Sequence, residues 1–385
     1  MTVKMVDLYK QYQTISNDID KAIADVIADS AFVRGRAITD LENDISNFLG
    51  TKHCISCGSG TDAITLALMA IGLSKGDEVI LPAFTFAAAA EAVALLGGTP
   101  VFADVDKTTF NIDTDSVERL ISKHTKAIIP VHLFGQPCDN MNRLMDIATD
   151  RNIFVIEDNA QAFGAECHLH NGTTAYAGTI GHIGCTSFFP TKVLGCFGDG
   201  GALFTNNDIL AEKIRSLANH GQTARYQYRY IGLNSRLDTI QAAVLKVKLP
   251  HLKKWIDARR KAAHYYSEAL KNIPFIKVPH ESAKGSHVYH QYTIKVTPQY
   301  RDRLRSALDT AGIPSMIYYP VPLYMQPAYS DICIYDRQSD NSLALSECVL
   351  SLPIHSELTH SQQDLVIDTI KSFFEKTKSD NHCYD

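Results

Sequence analysis

Between about residues 50 and 205, short β-rich runs alternate with helical runs, which restricts this part of the chain to a mostly parallel sheet with helices on both faces. The expected strands are His53–Cys57, Glu78–Leu81, Thr99–Ala103, Lys126–Val131 and Ile153–Glu157. The expected helices between them are Thr61–Gly72, Phe86–Leu96, Thr114–Ser122 and Asn140–Asp150. In such sheets ligands bind beyond the carboxyl ends of the strands. The turns after the strands are therefore the places to look for chemistry.

The pattern changes after residue 205. Leu210–His220 and Asp238–Leu249 read as helices, Ala224–Tyr230 as a loop, and Pro250 stops the second helix. A long charged helix over His251–Lys271 is placed to bridge two domains. Strands are expected around Tyr289–Val296, helices near Arg301–Ala311 and Ser361–Phe374, and a frayed polar tail at the end. At 385 residues the chain exceeds the usual single-domain size, so two domains are expected, 1–250 and 251–385.

Composition narrows the partners. The formal charge is −5 and is spread thinly, which argues against binding nucleic acid or an acidic membrane surface. The first residues lack the apolar core of a signal peptide, and the most apolar stretch, Val79–Leu96, is broken by Pro82 and Glu91. A cytoplasmic protein is expected. Nine scattered cysteines then read as reduced thiols. Cys54 and Cys57 have redox or metal spacing, but no second such pair follows, and a short strand with two thiols is the simpler reading. Cys167-His168-Leu169-His170 lies in a polar stretch that reads as an exposed hairpin, so no metal site is expected there either.

Three turns have unusual content. Gly58-Ser59-Gly60-Thr61 joins a strand to a helix, where small residues and unpaired N–H groups suit a phosphate. Glu157-Asp158-Asn159-Ala160-Gln161 ends an apolar strand in adjacent acids, which must point to opposite faces. Lys192 stands between the aromatic pair Phe188-Phe189 and a glycine-rich loop, and an amine among apolar groups can form a Schiff base with an aldehyde. Each turn alone is commonplace. Together, in this order, they can anchor the phosphate, ring nitrogen and aldehyde of pyridoxal phosphate.

The motifs GSGTDAI (58–64), PAFTFAA (82–88), EDNAQAFGA (157–165), SFFPTKVLGCFGDGGA (187–202) and GLNSRLDTIQAA (232–243) complete the pattern. With them the chain resembles the DegT/StrS-type nucleotide-sugar aminotransferases from Met5 to about Phe374. The resemblance implies the type I fold of pyridoxal-phosphate transferases, an α/β large domain with a mixed, mostly parallel seven-stranded sheet and a smaller α+β C-terminal domain. It implies Lys192 as the cofactor-bearing lysine, Asp158 at the ring nitrogen, Gln161 beside the ring hydroxyl and Phe86 stacked on the ring. Gly60, Thr61 and Ser187 would hold the phosphate, with Asn234 reaching in from the second subunit of a homodimer. Pyridoxamine phosphate would be the aminated form of the cofactor, and L-glutamate the donor, released as 2-oxoglutarate. Related sugar dehydratases have histidine at the position of Lys192, so lysine favours transamination.

The resemblance is nearest to the subgroup acting on UDP-linked 2-acetamido-2-deoxy-3-keto-glucuronic acid. Arg236 would bind the sugar carboxylate, since a guanidinium offers two parallel hydrogen bonds; the competing reading is an ion pair with Asp238. His220 is a candidate contact to sugar or diphosphate. Tyr318 and Tyr319 are further candidates, in a segment where the family often has His-Tyr-Pro and this chain has Tyr318-Tyr319-Pro320. The alternative within the class is a 4-keto-6-deoxy-sugar aminotransferase of the bacillosamine or perosamine type. A regulatory protein that kept the fold and lost catalysis is disfavoured by the intact Asp158, Gln161 and Lys192. The implied setting is the synthesis of lipopolysaccharide (O-antigen), capsule or glycoprotein sugars.

Overall fold

The computed structural model describes residues 2–338 and 340–381. Three helices open the chain: α1 (Leu8–Gln13), α2 (Ser16–Asp29) and α3 (Arg36–Leu49). These helices are not among the elements expected from the sequence, although Leu41, Ile45 and Leu49 recur at helical spacing and are buried. The alternation follows as expected, with β1 (His53–Cys57), α4 (Gly60–Ala70), β2 (Glu78–Pro82), α5 (Ala88–Leu95) and β3 (Thr99–Ala103). It continues with α6 (Thr114–Leu120), β4 (Thr125–Ile128), α7 (Met141–Arg151) and β5 (Phe154–Asp158). The hairpin β6 (Glu166–His168) and β7 (Thr174–Tyr176) is the one expected around Cys167, and then come β8 (Ile183–Ser187) and β9 (Gly201–Thr205).

The large sheet has the order β1-β9-β8-β5-β4-β2-β3 and gains an eighth strand at its far edge. Strands β8, β5, β4, β2 and β3 are parallel, and β9 runs antiparallel to both β1 and β8. Since β9 opposes both neighbours, β1 points the same way as the parallel set. The carboxyl ends of β1, β2, β4, β5 and β8 thus lie along one edge. One face packs on α4, α5 and α8 (Asp208–Leu217), while the β1–β9–β8 end packs on α3 and α9 (Thr239–Lys248) with Leu41, Ile45, Phe204 and Leu245 inside. The segment read as a loop after α8 is instead a small hairpin, β10 (Gln222–Ala224) with β11 (Gln227–Tyr228). Its residues are mostly exposed, so no apolar alternation marked it as strand.

Helix α10 (Leu252–Leu270) contributes Leu252 and Ile256 to the core beside α9, then Ala263, Tyr266 and Leu270 to a separate core. That second core is built on β12 (Ile276–Lys277), β13 (Tyr292–Val296), α11 (Pro298–Thr310) and, later in the chain, β15 (Val349–Leu352) and α13 (His360–Asn381). Between α11 and β15 the chain returns to the large sheet. There β14 (Ile334–Tyr335) forms the eighth strand parallel to β3, and Leu323 and Tyr329 join the core of that sheet, before α12 (Asn341–Cys348) leads back. Helix α13 runs past Phe374 to Asn381, so much of the expected frayed tail is helical; residues 382–385 lie outside the described residues. Among the described residues, no helix is long and apolar enough to cross a membrane.

Candidate active site

The turn after β1 forms an anion cradle. Ser59 caps α4, its hydroxyl accepting the Asp62 N–H at 3.1 Å. The N–H groups of Gly60 and Thr61 precede the first intrahelical bond and find no acceptor among the described residues. Ser187, at the end of β8, faces this turn. A Cβ on Gly60 would stand 2.6 Å from that of Ser187, so only glycine lets the two turns approach so closely.

Adjacent acids at the end of β5 have separate tasks. The Glu157 carboxylate is fully buried and accepts the N–H groups of Gly178, Ile180 and Gly181 at 2.8, 2.6 and 2.5 Å, with His132 Nε2 2.9 Å away. Among the described residues, the Asp158 carboxylate accepts only the Ala160 N–H, at 3.0 Å, while its backbone carbonyl takes the His132 N–H. Burial pushes its carboxyl above the usual carboxylate range, opposed by that N–H and by the charge of Lys192.

Lys192 sits in the turn after β8, its N–H donating to the Phe189 carbonyl at 2.9 Å. Its side chain is half-buried, and among the described residues Nζ has no hydrogen bond or ion pair. Burial pulls its pKa down to about 8, against the opposing pull of Asp158. Phe86, just after β2, is 60% exposed, and its ring centroid lies 6.5 Å from that of Tyr319. Gln161 is buried and oriented at both ends: its Oε1 accepts the Phe134 N–H at 2.7 Å, and its Nε2 donates to the Tyr319 hydroxyl at 3.2 Å. Burial raises the Tyr319 phenol well above its ordinary value, so it stays protonated. Tyr318 is half-buried, its ring 5.8 Å from that of Tyr319.

Asn234, Arg236 and His220 form a second group, which makes no hydrogen bond or ion pair with Lys192, Asp158 or Gln161 among the described residues. Asn234 is exposed, and its neighbour Ser235 accepts the Gly58 N–H at 3.0 Å and donates to Asp62 at 2.6 Å. Arg236 lines a cavity of about 320 Å³ with Arg34, Arg215, Glu42 and Asn219. Glu42 is taken by Arg215 at 2.7 Å, while Arg34 and Arg236 have no ion pair among the described residues, so the pair with Asp238 does not form. His220 is exposed, with a left-handed φ of 60° and its N–H on the Leu233 carbonyl at 2.8 Å.

The first group fits pyridoxal phosphate. An amine without a partner, an aromatic face left open, a carboxylate short of hydrogen bonds and two free helix-opening N–H groups each match one part of that molecule. A protonated ring nitrogen beside Asp158 would offset the burial of its carboxylate. His132 and Arg34 are not among the site residues expected from the sequence. His132 follows the strand expected at Lys126–Val131, so the rule about strand ends would have found it; nothing local marks Arg34.

The chain matches the DegT/DnrJ/EryC1/StrS aminotransferase family over residues 13–371. It is 43% identical to the pleiotropic regulatory protein of Geobacillus stearothermophilus, over 97% of this chain and 99% of that one. It is also 43% identical to the UDP-2-acetamido-2-deoxy-3-oxo-D-glucuronate aminotransferase of Pseudomonas aeruginosa, over 92% and 96%. Relatives at 36% identity are named for dTDP- and GDP-linked sugars. A crystal structure of a DegT/DnrJ/EryC1/StrS aminotransferase from Brucella abortus superposes with a TM-score of 0.90 at 40% identity, covering 96% of this chain and 99% of the other. The chain therefore belongs to the DegT/DnrJ/EryC1/StrS aminotransferase family and is a pyridoxal-phosphate-dependent sugar aminotransferase.

Proposed function

We propose that the chain moves the amino group of L-glutamate onto carbon 3 of UDP-linked 2-acetamido-2-deoxy-3-keto-glucuronic acid, as a homodimer with shared active sites. The observation that carries the chemistry is the unpartnered Lys192 amine, held at a pKa of about 8 beside Asp158. When bound, pyridoxal phosphate supplies an electron sink for the carbon that loses its proton. Lys192 Nζ takes that proton from the α-carbon of glutamate and later delivers one to the sugar carbon. Asp158 keeps the ring nitrogen protonated, and Gln161, locked by Phe134 and Tyr319, donates beside the ring hydroxyl. Phe86 covers the ring face, while Gly60, Thr61 and Ser187 take the phosphate. Asn234 completes the phosphate site of the partner subunit.

For the substrate, the supporting feature is Arg236 in a cavity with two uncompensated guanidiniums. A carboxylated sugar would balance them. The Pseudomonas aeruginosa relative is named for a substrate of that kind. His220 and Tyr318 are assigned to the sugar nucleotide. A second reading, a 4-keto-6-deoxy-sugar aminotransferase, draws support from Tyr318: where the family often has histidine, a phenol cannot take a positive charge.

An absorbance titration tests both readings. Protein loaded with pyridoxal phosphate is bleached with L-glutamate, freed of it, and offered each keto-sugar nucleotide. Return of the yellow colour with the 3-keto uronic acid alone is the expected result. Return with the 4-keto sugar alone overturns the substrate, and failure to develop colour overturns the chemistry.

A further inference from the structure

Behind the Lys192 turn the chain buries a second lysine. Lys248, the last residue of α9, is only 2% exposed. Its ammonium donates to the Gly195 carbonyl and lies over the rings of Phe197 and Trp255, at 5.4 and 5.8 Å from their centroids. Lysines are almost never buried this completely, because dehydrating the ammonium is costly. One carbonyl and two aromatic faces compensate here, and the negative charge of Glu357 assists.

What Lys248 grips is the turn that carries the active-site lysine. A Cβ on Gly195 would strike the Pro190 carbonyl oxygen and stand 2.7 Å from that of Phe189. The Gly195 backbone therefore rests directly on the two residues that lead into Thr191 and Lys192. The Lys192 N–H closes the same turn on Phe189. Gln241 precedes Lys248 by two helical turns, so both share one face of α9. Its Oε1 accepts the Phe197 N–H at 2.8 Å. One helix face thus holds the turn at residues 195 and 197.

We propose that Lys248 is a positioning residue for Lys192, pinning the Gly195 carbonyl so that the turn presents the active-site amine beside Asp158. The inference rests on the proposed role of Lys192 and adds a residue that touches neither cofactor nor substrate. Nothing near Lys248 in the sequence singles it out; its role emerges from the contacts of the folded chain.

Two measurements on Lys248→Met and Lys248→Arg test it. In cofactor-free protein, hydrogen exchange of the Cys196 and Phe197 amides should speed up about 10-fold or more in Lys248→Met, with the rest of the large sheet unchanged. In loaded protein, kcat of the glutamate half-reaction should fall about 10-fold with KM within about twofold, as expected for a misplaced reacting group. Lys248→Arg, which keeps charge and donor, should recover most of both. Unchanged exchange in the turn, or exchange raised equally throughout the chain, overturns the proposal. If Lys248→Met does not fold, Lys248→Gln serves, since its shorter amide falls short of Gly195. Failure of the unmodified protein to take up pyridoxal phosphate would count against Lys192, whereas the exchange comparison bears on Lys248 alone.

Discussion

His132 and Glu157, both fully buried, meet at 2.9 Å between His132 Nε2 and the carboxylate. His132 Nδ1 accepts the Cys138 N–H at 3.0 Å, so the imidazole carries its proton on Nε2 and donates it to Glu157. With three backbone N–H groups on the same carboxylate, Glu157 is a structural acid, and the alternation of β5 turns Asp158 to the opposite face, as its proposed role at the ring nitrogen requires. The two acids should therefore fail differently. Glu157→Gln would turn an amide donor toward N–H groups and is expected to cost about 2–4 kcal/mol of stability in urea unfolding. Asp158→Asn should melt within a few degrees of the parent while losing about 10²–10⁴-fold in kcat. Equal losses of stability in the two variants would contradict this division.

The depressed pKa of Lys192 gives a test by pH. In cofactor-free protein its neutral fraction rises through about pH 8, whereas an ordinary lysine needs about pH 10.4. The rate at which colour develops on adding pyridoxal phosphate should climb with pH and level off above about 8. A half-point near 10 would refute the assignment. The same shift has a consequence for stability. Burial holds the folded pKa below the unfolded one, so between about 8 and 10.5 the unfolded chain binds more protons and stability rises with pH. Lys192→Met should thus stabilise cofactor-free protein near pH 7, by the order of 1–3 kcal/mol, with the gain fading above pH 8.

Much of this site was legible in the sequence, because its parts sit where strand ends must lie. The apolar runs at Glu78–Pro82, Thr99–Ala103 and Phe154–Asp158 are buried on both faces of the sheet, so their composition alone marked them. The exposed hairpin of β10 and β11 left no such mark. Strand β14 is two residues long and pairs with β3 far away in the chain, which no local pattern encodes. Arg236 was legible as a cation but not as an unpaired one. Its freedom depends on Glu42 being occupied by Arg215, a contact between distant segments.

Arg236 separates the two substrate readings. Arg236→Lys keeps the charge and loses the parallel pair of hydrogen bonds to a carboxylate. With the 3-keto uronic acid, kcat/KM should fall about 10- to 100-fold, a loss of about 1.4–2.7 kcal/mol. With a 4-keto-6-deoxy sugar nucleotide, which has no carboxylate, the change should stay within about threefold. Steady-state kinetics on both compounds checks this, and an equal loss on each would remove Arg236 from sugar recognition.

Acid stability should be governed in part by the buried His355. It is 2% exposed, and neither ring nitrogen has a hydrogen-bond partner among the described residues. Arg259, Asp7, Lys10 and Lys4 act on it, and the Glu357 carboxylate is 4.0 Å away. Burial is the largest influence and lowers its pKa from 6.5 to about 4, with Arg259 adding to the effect. Above pH 6.5 the imidazole is neutral in both the folded and unfolded chain and contributes no pH dependence. As pH falls from 6.5 to about 4, the unfolded chain takes up a proton that the folded chain refuses, so stability drops. Below about 4 both forms are protonated and the loss levels off. Between pH 7 and pH 4.5 this one group accounts for a loss on the order of 2–3 kcal/mol. His355→Phe keeps a ring and removes the titration, so its unfolding free energy in urea should fall by that much less over the same interval. Parallel pH dependences for the parent and variant would mean that His355 is protonated within the fold.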